Sequence, residues 1–213
     1  MDLSAAGFLR ALDLTGTCVF AASGAMLAVR ARMDIFGVLV LSVVTAVSGG
    51  VMRDLLIGVV PPGAIADWRP AGLAVLTGTL CFVWPTLVQR LRHPVQLFDA
   101  AGLGVFAATG ARAALDHGLN PPMAAMLGML SGIGGGMVRD VLMARVPVVL
   151  RSEIYALAAL LGAATVVLGN MLNMPVEAAT AAGAALCLFL RMMAIFRGWR
   201  LPVAARNGAG EGE

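Results

Sequence analysis

The residues best able to do chemistry fall in two short stretches, Ser48-Gly49-Gly50-Val51-Met52-Arg53-Asp54 and Gly132-Ile133-Gly134-Gly135-Gly136-Met137-Val138-Arg139-Asp140. In each, a glycine run precedes an Arg-Asp pair by two apolar residues. An arginine or aspartate near the centre of a bilayer costs about 2.5 to 3.5 kcal/mol even on lenient insertion scales, so each needs a partner close by. Neighbouring residues on a helix do not face one another. Arg53 and Asp54, and likewise Arg139 and Asp140, are therefore expected to reach for different partners. Asp13 and Asp99 stand at matching places upstream, and the expected pairs are Asp13 with Arg53 and Asp99 with Arg139. Adjacent glycines each lower helicity by about 1 kcal/mol relative to alanine, which predicts a break or sharp kink at Gly49-Gly50 and at Gly134-Gly135-Gly136. Carbonyls freed near Gly49, Gly50, Gly135 and Gly136 would offer negative dipole ends to a monovalent cation. A plainer reading stands beside this one, in which the charges staple helices together and the glycines permit close packing.

Hydroxyl groups recur at matching places too. Ser23 lies in VFAASGA and Thr109 in VFAATGA, while Thr45 and Ser131 fall just ahead of the glycine runs. Small hydroxyl side chains let backbones approach and offer an oxygen to a passing cation, so all four are candidates to line a path. They are equally at home in ordinary small-residue helix contacts. Other chemistries lack their residues. There is no GxGxxG, Walker, HExxH or GxSxG pattern, and His93 and His117 sit beside prolines or charges without partners. Cys18, Cys81 and Cys187 each lie in an apolar run without metal-ligand spacing and read as packing residues. Neither an enzyme nor a bound cofactor is expected.

The elements that must hold these groups are set by composition. Of 213 residues, 60% are hydrophobic and 13% charged, with mean hydropathy +0.89. That surplus of apolar residues exceeds what one soluble core can hide, which excludes a soluble enzyme or a nucleic-acid binder. Crossing the hydrocarbon layer takes about 20 apolar residues. Seven such runs are present, at roughly 11–29, 35–58, 70–89, 97–115, 121–144, 153–171 and 175–196. All 15 basic residues are arginines. Three (Arg10, Arg69 and Arg112) fall on the side of the N-terminus and ten on the other, leaving Arg53 and Arg139 within spans. The positive-inside rule then puts the N-terminus outside and the C-terminus in the cytoplasm of a cell whose plasma membrane holds the chain. The first run, with Asp2 and Asp13 and only Arg10 as a base, reads as a retained span rather than a cleaved signal.

Shifting the sequence by 86 residues lays 13–61 on 99–147 with 17 of 49 positions identical and no gap. The chain is therefore a duplication. Each copy holds three spans, so the second must cross the membrane in the opposite sense to the first. The expected fold is an all-α membrane protein: seven transmembrane helices as two inverted three-helix repeats (8–90 and 94–172) plus a seventh helix at 175–197, with helices 2 and 5 kinked at their glycines. Residues 1–197 form one transmembrane domain, and 198–213 form a disordered cytoplasmic tail.

Two three-helix units, each bearing a glycine run followed by xxRD, together with a seventh span, resemble the bacterial members of the trimeric intracellular cation (TRIC) channel family, whose sequences also carry the label glycine transporter. The resemblance spans about residues 8–197. It implies a homotrimer in which each subunit holds its own potassium-permeable path, with sodium left open as a second permeant ion. It further implies that the kinked second and fifth helices line the path and that the N-terminus lies outside the cytosol. Trimer and potassium follow from the resemblance alone. The animal relatives use lysine-containing motifs for phosphoinositide contacts; this chain has no lysine, so that site is not carried over. Besides a cation channel, two other roles fit the spans and charges: a secondary transporter of a small solute such as glycine, and a packing subunit with no path.

Overall fold

Each of the seven apolar runs holds a helix among its described residues. The computed structural model describes residues 3–84, 94–151 and 153–197, and among them nine helices and no strand occur. These are α1 (Leu3–Arg30), α2 (Ile35–Leu56), α3 (Gly63–Ala66), α4 (Trp68–Val83), α5 (Pro94–Asp116), α6 (Pro121–Leu142), α7 (Val148–Arg151), α8 (Glu153–Met171) and α9 (Val176–Arg197). Four of them, α1, α2, α8 and α9, are long and apolar enough to cross a membrane, and the apolar α4 is shorter. α1 begins about two turns earlier than its apolar run, and α4 ends at Val83 where that run continued to 89. Four-residue α3 and α7 were not anticipated, because a single turn has no hydrophobic period to read. The expected disordered tail at 198–213, His93 and the end of the third run lie outside the described residues.

Local chemistry explains where the helices begin and end. The Asp34 carboxylate accepts the Gly37 N–H at 2.8 Å to cap α2, and the Asn120 side chain accepts the Met123 N–H at 3.0 Å to cap α6. Each satisfies an amide that the helix itself leaves open. Pro121 and Pro122 sit in the first turn of α6, where a missing N–H costs nothing. Beyond the ends of α2 and α6 the chain turns through left-handed residues, Gly58 at φ +80° and Ala144 at φ +50°. The members of each pair, 34 with 120 and 58 with 144, stand 86 residues apart.

The core is formed by α1 and α5. Every residue from Phe20 to Ala28 and from Gly102 to Ala111 is buried, and most are alanine or glycine, so neighbours pack on all sides of each helix. α1 contacts α2 and α4; α5 contacts α6 and α8; the two groups meet where α1 lies on α5 and α2 crosses α6. α9 packs on α5 and α8. Contacts across this seam come in matched pairs. Phe20 and Phe106 stack with ring centres 5.4 Å apart, Phe106 covers Gly16, and Phe20 covers Gly102.

The glycine runs do not break their helices. Both α2 and α6 run as continuous α-helix, so the carbonyls expected to be freed at Gly49, Gly50, Gly135 and Gly136 remain in unbroken helix. Close approach is the reason. A Cβ on Gly49 would lie 2.2 Å from the Ser131 carbonyl oxygen, and one on Gly135 would lie 2.5 Å from the Thr45 carbonyl oxygen. Gly134 meets the Gly49 backbone in the same way, at 3.0 Å. Tertiary contact between α2 and α6 holds helical a stretch whose intrinsic propensity is poor.

Candidate functional site

The two Arg-Asp pairs close the last turns of α2 and α6. At the α6 end, Arg139 uses all three of its guanidinium nitrogens. Nη1 donates to Asp99 Oδ1 at 2.7 Å and to Ser23 Oγ at 2.6 Å, while Nε and Nη2 donate to Asp140 Oδ1 at 3.0 and 2.8 Å. Ser23 in turn donates to the Val95 carbonyl at 3.2 Å. One cation thus ties α1, α5 and α6 together through charge-assisted bonds. The Arg139 and Asp99 side chains are 2% and 4% exposed.

The α2 end repeats the plan loosely. Arg53 Nε donates to Asp54 Oδ1 at 2.8 Å, but Nη1 stands 3.9 Å from Asp13 Oδ2, and the Arg53 and Asp13 side chains are 12% and 40% exposed. Thr109, which corresponds to Ser23, has a buried hydroxyl with no hydrogen-bond partner among the described residues, as does Asp13 Oδ1. The two pairings expected from the sequence, Asp13 with Arg53 and Asp99 with Arg139, are both present, one slack and one tight.

The expectation that each arginine ignores the adjacent aspartate is corrected. Both guanidinium groups fold back onto it, because a long, flexible stem carries the charge well away from its Cβ direction. The second oxygen of each aspartate holds the following short helix. Asp54 Oδ2 accepts the Gly63 N–H at 2.8 Å and Asp140 Oδ2 accepts the Val148 N–H at 2.9 Å. Sequence reading missed this role, since α3 and α7 carry no signal of their own.

The remaining hydroxyls do not converge with the charges. Thr45 back-bonds to the Leu41 carbonyl of its own helix at 2.6 Å and packs on Gly24. Ser131 packs against Gly110, with its buried hydroxyl unpartnered among the described residues.

Each charged cluster opens on a cavity. One of about 230 Å³ is bounded by Asp13, Arg53, Asp54 and Gly50, with Arg10 and Asp67 near its rim. The other, about 770 Å³, is bounded by Asp99, Arg139 and Asp140 together with Arg30, Arg145, Arg151 and Arg191. The first touches Asp13 early in α1 and the second touches Leu27 near its end, a separation of about 20 Å at 1.5 Å per residue. Neither cavity is lined by Gly49, Gly134 or Gly135, which lie in the packed seam between α2 and α6, nor by Gly136, which faces Asp99 and Tyr155 instead.

Two further residues join the α6 cluster. Arg191 of α9 is buried, and its guanidinium lies 4.6 Å from the centre of the Tyr155 ring of α8. A Cβ placed on Gly136 would be 2.6 Å from the Tyr155 hydroxyl and 2.9 Å from Asp99 Oδ1, so hydroxyl and carboxylate face the same small space. In the sequence Arg191 counts among the loop-side arginines; the structure instead seals it inside. An arginine nearly two turns inside the end of an apolar helix is the available signal.

An all-helical membrane protein with ion pairs buried at the helix ends and a cavity beside each is what this arrangement defines. Comparison with known proteins narrows the class. The model of the family described as Glycine transporter matches residues 10–86 and 96–171. A UPF0126 membrane protein of Deinococcus radiodurans is 45% identical, over 90% of this chain and 90% of its own. The UPF0126 inner membrane protein YadS of Escherichia coli K12 is 38% identical, over 93% of this chain and 97% of its own. Among solved structures, a TRIC cation channel superposes with TM-score 0.85 at 33% identity, covering 94% of this chain and 98% of that one. The TRIC trimeric intracellular cation channel orthologue of Rhodobacter sphaeroides superposes with TM-score 0.85 at 36% identity, covering 90% and 98%. The chain belongs to the Glycine transporter family, which is the family of the bacterial TRIC channels.

Proposed function

We propose that the chain is a potassium-permeable monovalent cation channel, sodium remaining open as a second ion, that works as a homotrimer with one path in each protomer. The observation that carries this reading is the placement of an Arg-Asp cluster and a cavity at each end of the α1–α5 core, on a backbone like that of TRIC cation channels. Residues 1–197 act as one transmembrane unit of two inverted three-helix copies and a seventh helix. Support for the inversion comes from the matched contacts 86 residues apart and from the two clusters lying at opposite ends of α1. With the N-terminus outside, the Asp13–Arg53 cavity is the outer vestibule and the Asp99–Arg139 cavity the inner one, in a plasma (inner) membrane whose lipids surround the exposed apolar faces.

A permeant ion needs its water only partly replaced, and the aspartates and hydroxyls can do this at the vestibules. Between them lie the Phe20–Phe106 stack and the Gly49–Ser131 and Gly135–Thr45 crossings. Passage therefore requires α2 and α6 to slide or part, and glycine surfaces without side chains suit that movement. No cofactor, catalysis or nucleic acid enters this scheme. Purified protein in a planar bilayer should give discrete currents that reverse according to a potassium gradient, and the shift on replacing potassium by sodium measures selectivity.

A second reading, a secondary transporter of a small solute such as glycine, is favoured by one observation. The inner cavity is bounded by five arginines and two aspartates, a surplus suited to a carboxylate. Flat current traces together with saturable, ion-coupled uptake of labelled glycine would decide for it.

A further inference from the structure

At the end of α2 the protein leaves unmet the polar groups that the matching end of α6 satisfies. Of the Arg53 guanidinium only Nε is hydrogen-bonded among the described residues, to Asp54. Nη1 stands 3.9 Å from Asp13 Oδ2, beyond bonding distance, although the Arg53 side chain is only 12% exposed. Asp13 Oδ1 and the Thr109 hydroxyl are buried without partners among the described residues. The matching glycines differ in the same sense. A Cβ on Gly136 would run into the Tyr155 hydroxyl and Asp99, whereas one on Gly50 would meet nothing nearer than Arg53 Nη2 at 3.9 Å. The space that Tyr155 fills at one end is open at the other, where Gly50 borders the cavity of about 230 Å³.

A mostly buried guanidinium with two free nitrogens, beside a carboxylate too far away to bond it, leaves donors and acceptors for a third group. Nη1 and Nη2 form the end of the fork that receives a carboxylate through parallel bonds, and the Asp13 carboxylate accepts from an ammonium group. A lone anion would meet Arg53 but stand against Asp13, Asp54 and Asp67, and a lone cation would meet Asp13 but stand against Arg53 and Arg10. A solute with both charges pairs with both walls, each of its ends beside the opposite protein charge. An α-amino acid holds its ammonium nitrogen and carboxyl carbon about 2.5 Å apart, close enough to face both groups across the 3.9 Å gap. The cavity of about 230 Å³ has room for about seven waters at about 30 Å³ each, and so for a solute of about that many non-hydrogen atoms. Leu14, Val47 and Phe106 also line it, an apolar surface for a short side chain.

We infer that the Asp13–Arg53 cavity is a binding site for a small zwitterionic solute, an α-amino acid with a compact apolar side chain, whose carboxylate pairs with Arg53 and whose ammonium group pairs with Asp13. The bond from Arg53 Nε to Asp54 stays in place and holds the guanidinium for this contact. Binding does not require conduction. Transport of the bound solute follows only if the transporter reading holds, so equilibrium binding tests the site whether either reading stands or falls.

The full chain in lipid nanodiscs is titrated with tritiated alanine. Propionate and ethylamine, which are alanine without its ammonium group and without its carboxylate, serve as competitors. Alanine binds saturably, and each competitor displaces it less well than unlabelled alanine by about tenfold or more. Asp13→Asn, which removes the charge and keeps the shape, weakens alanine binding by about tenfold or more. Gly50→Val fills the open space without altering any charge and has the same effect. Both variants are compared with the parent by thermal melting, and Gly50→Ala, a better helix former than glycine, takes the place of Gly50→Val if the latter does not fold. A parent without saturable alanine binding overturns the site. So does displacement by propionate or ethylamine as strong as by alanine, because one charge alone is then recognised. Undiminished binding in folded Asp13→Asn and in the folded Gly50 variant puts the solute elsewhere and overturns it equally.

Discussion

Burying an arginine is tolerable only when its donors are met, and the two repeated arginines meet that condition to different degrees. Arg139 has lost nearly all its water and exchanges it for Asp99, Ser23 and Asp140. Removing one partner from such a cluster strands a charge in a dry site. Asp99→Ala is therefore expected to destabilise the protein by about 3 to 5 kcal/mol. Asp13→Ala, at a pair 3.9 Å apart whose Arg53 keeps Asp54 as a close partner, should cost no more than about 1 kcal/mol. Thermal unfolding of the two variants in detergent measures the contrast, and equal losses would mean that the outer pair is as tight as the inner. At this scale the sequence was informative about identity: Asp13, Arg53, Asp99 and Arg139 stood out because charges in apolar runs demand partners. It was silent about the second oxygens of Asp54 and Asp140, whose acceptance of the Gly63 and Val148 amides depends on where the chain returns after a turn.

Among the helices, the glycine runs are the point where local preference and tertiary contact disagree. A run such as Gly134-Gly135-Gly136 reads equally as a kink and as a crossing point, because glycine both weakens a helix and removes the side chain that keeps a neighbour away. The partner at this crossing is the backbone of the other glycine-bearing helix. Gly49→Ala and Gly135→Ala place a methyl 2.2 and 2.5 Å from carbonyl oxygens that have no free end to move. Each should cost about 1 to 3 kcal/mol, from the overpacking that forces α2 and α6 apart. Gly7→Ala on α1 meets nothing within 4 Å and should instead stabilise by about 0.5 to 1 kcal/mol. Melting temperatures of the three variants test both signs at once. The caps at Asp34 and Asn120 follow from residue type, since a short polar side chain ahead of an apolar helix can accept its open amides.

For the molecule as a whole, an unequal distribution of arginine meets a near-symmetric scaffold. The cavity at the Asp99–Arg139 end gathers five arginines and the one at the Asp13–Arg53 end two, and in the proposed orientation the arginine-rich one faces the cytoplasm. Orientation can be tested directly in a variant whose three cysteines are replaced by serine. A cysteine at Gly7 should react with a membrane-impermeant maleimide in intact cells, and one at Arg197 only after permeabilisation, since both positions are exposed at opposite ends of the chain's helices. Reversed labelling would exchange the two vestibules.

The amino-acid sequence by itself determined the membrane class, the seven helical runs, the 86-residue duplication and most of the ionisable residues that matter. All of these are properties of composition, period and spacing along one dimension. Only the tertiary structure decided that α2 and α6 stay unbroken, that the Asp99–Arg139 pair is tight and buried while the Asp13–Arg53 pair is slack, and that Arg191 lies over the Tyr155 ring. Those outcomes depend on which atoms arrive from far along the chain. Ser23, 116 residues before Arg139, is one such arrival. Burial and hydrogen-bond geometry are set by that arrival rather than by any local pattern.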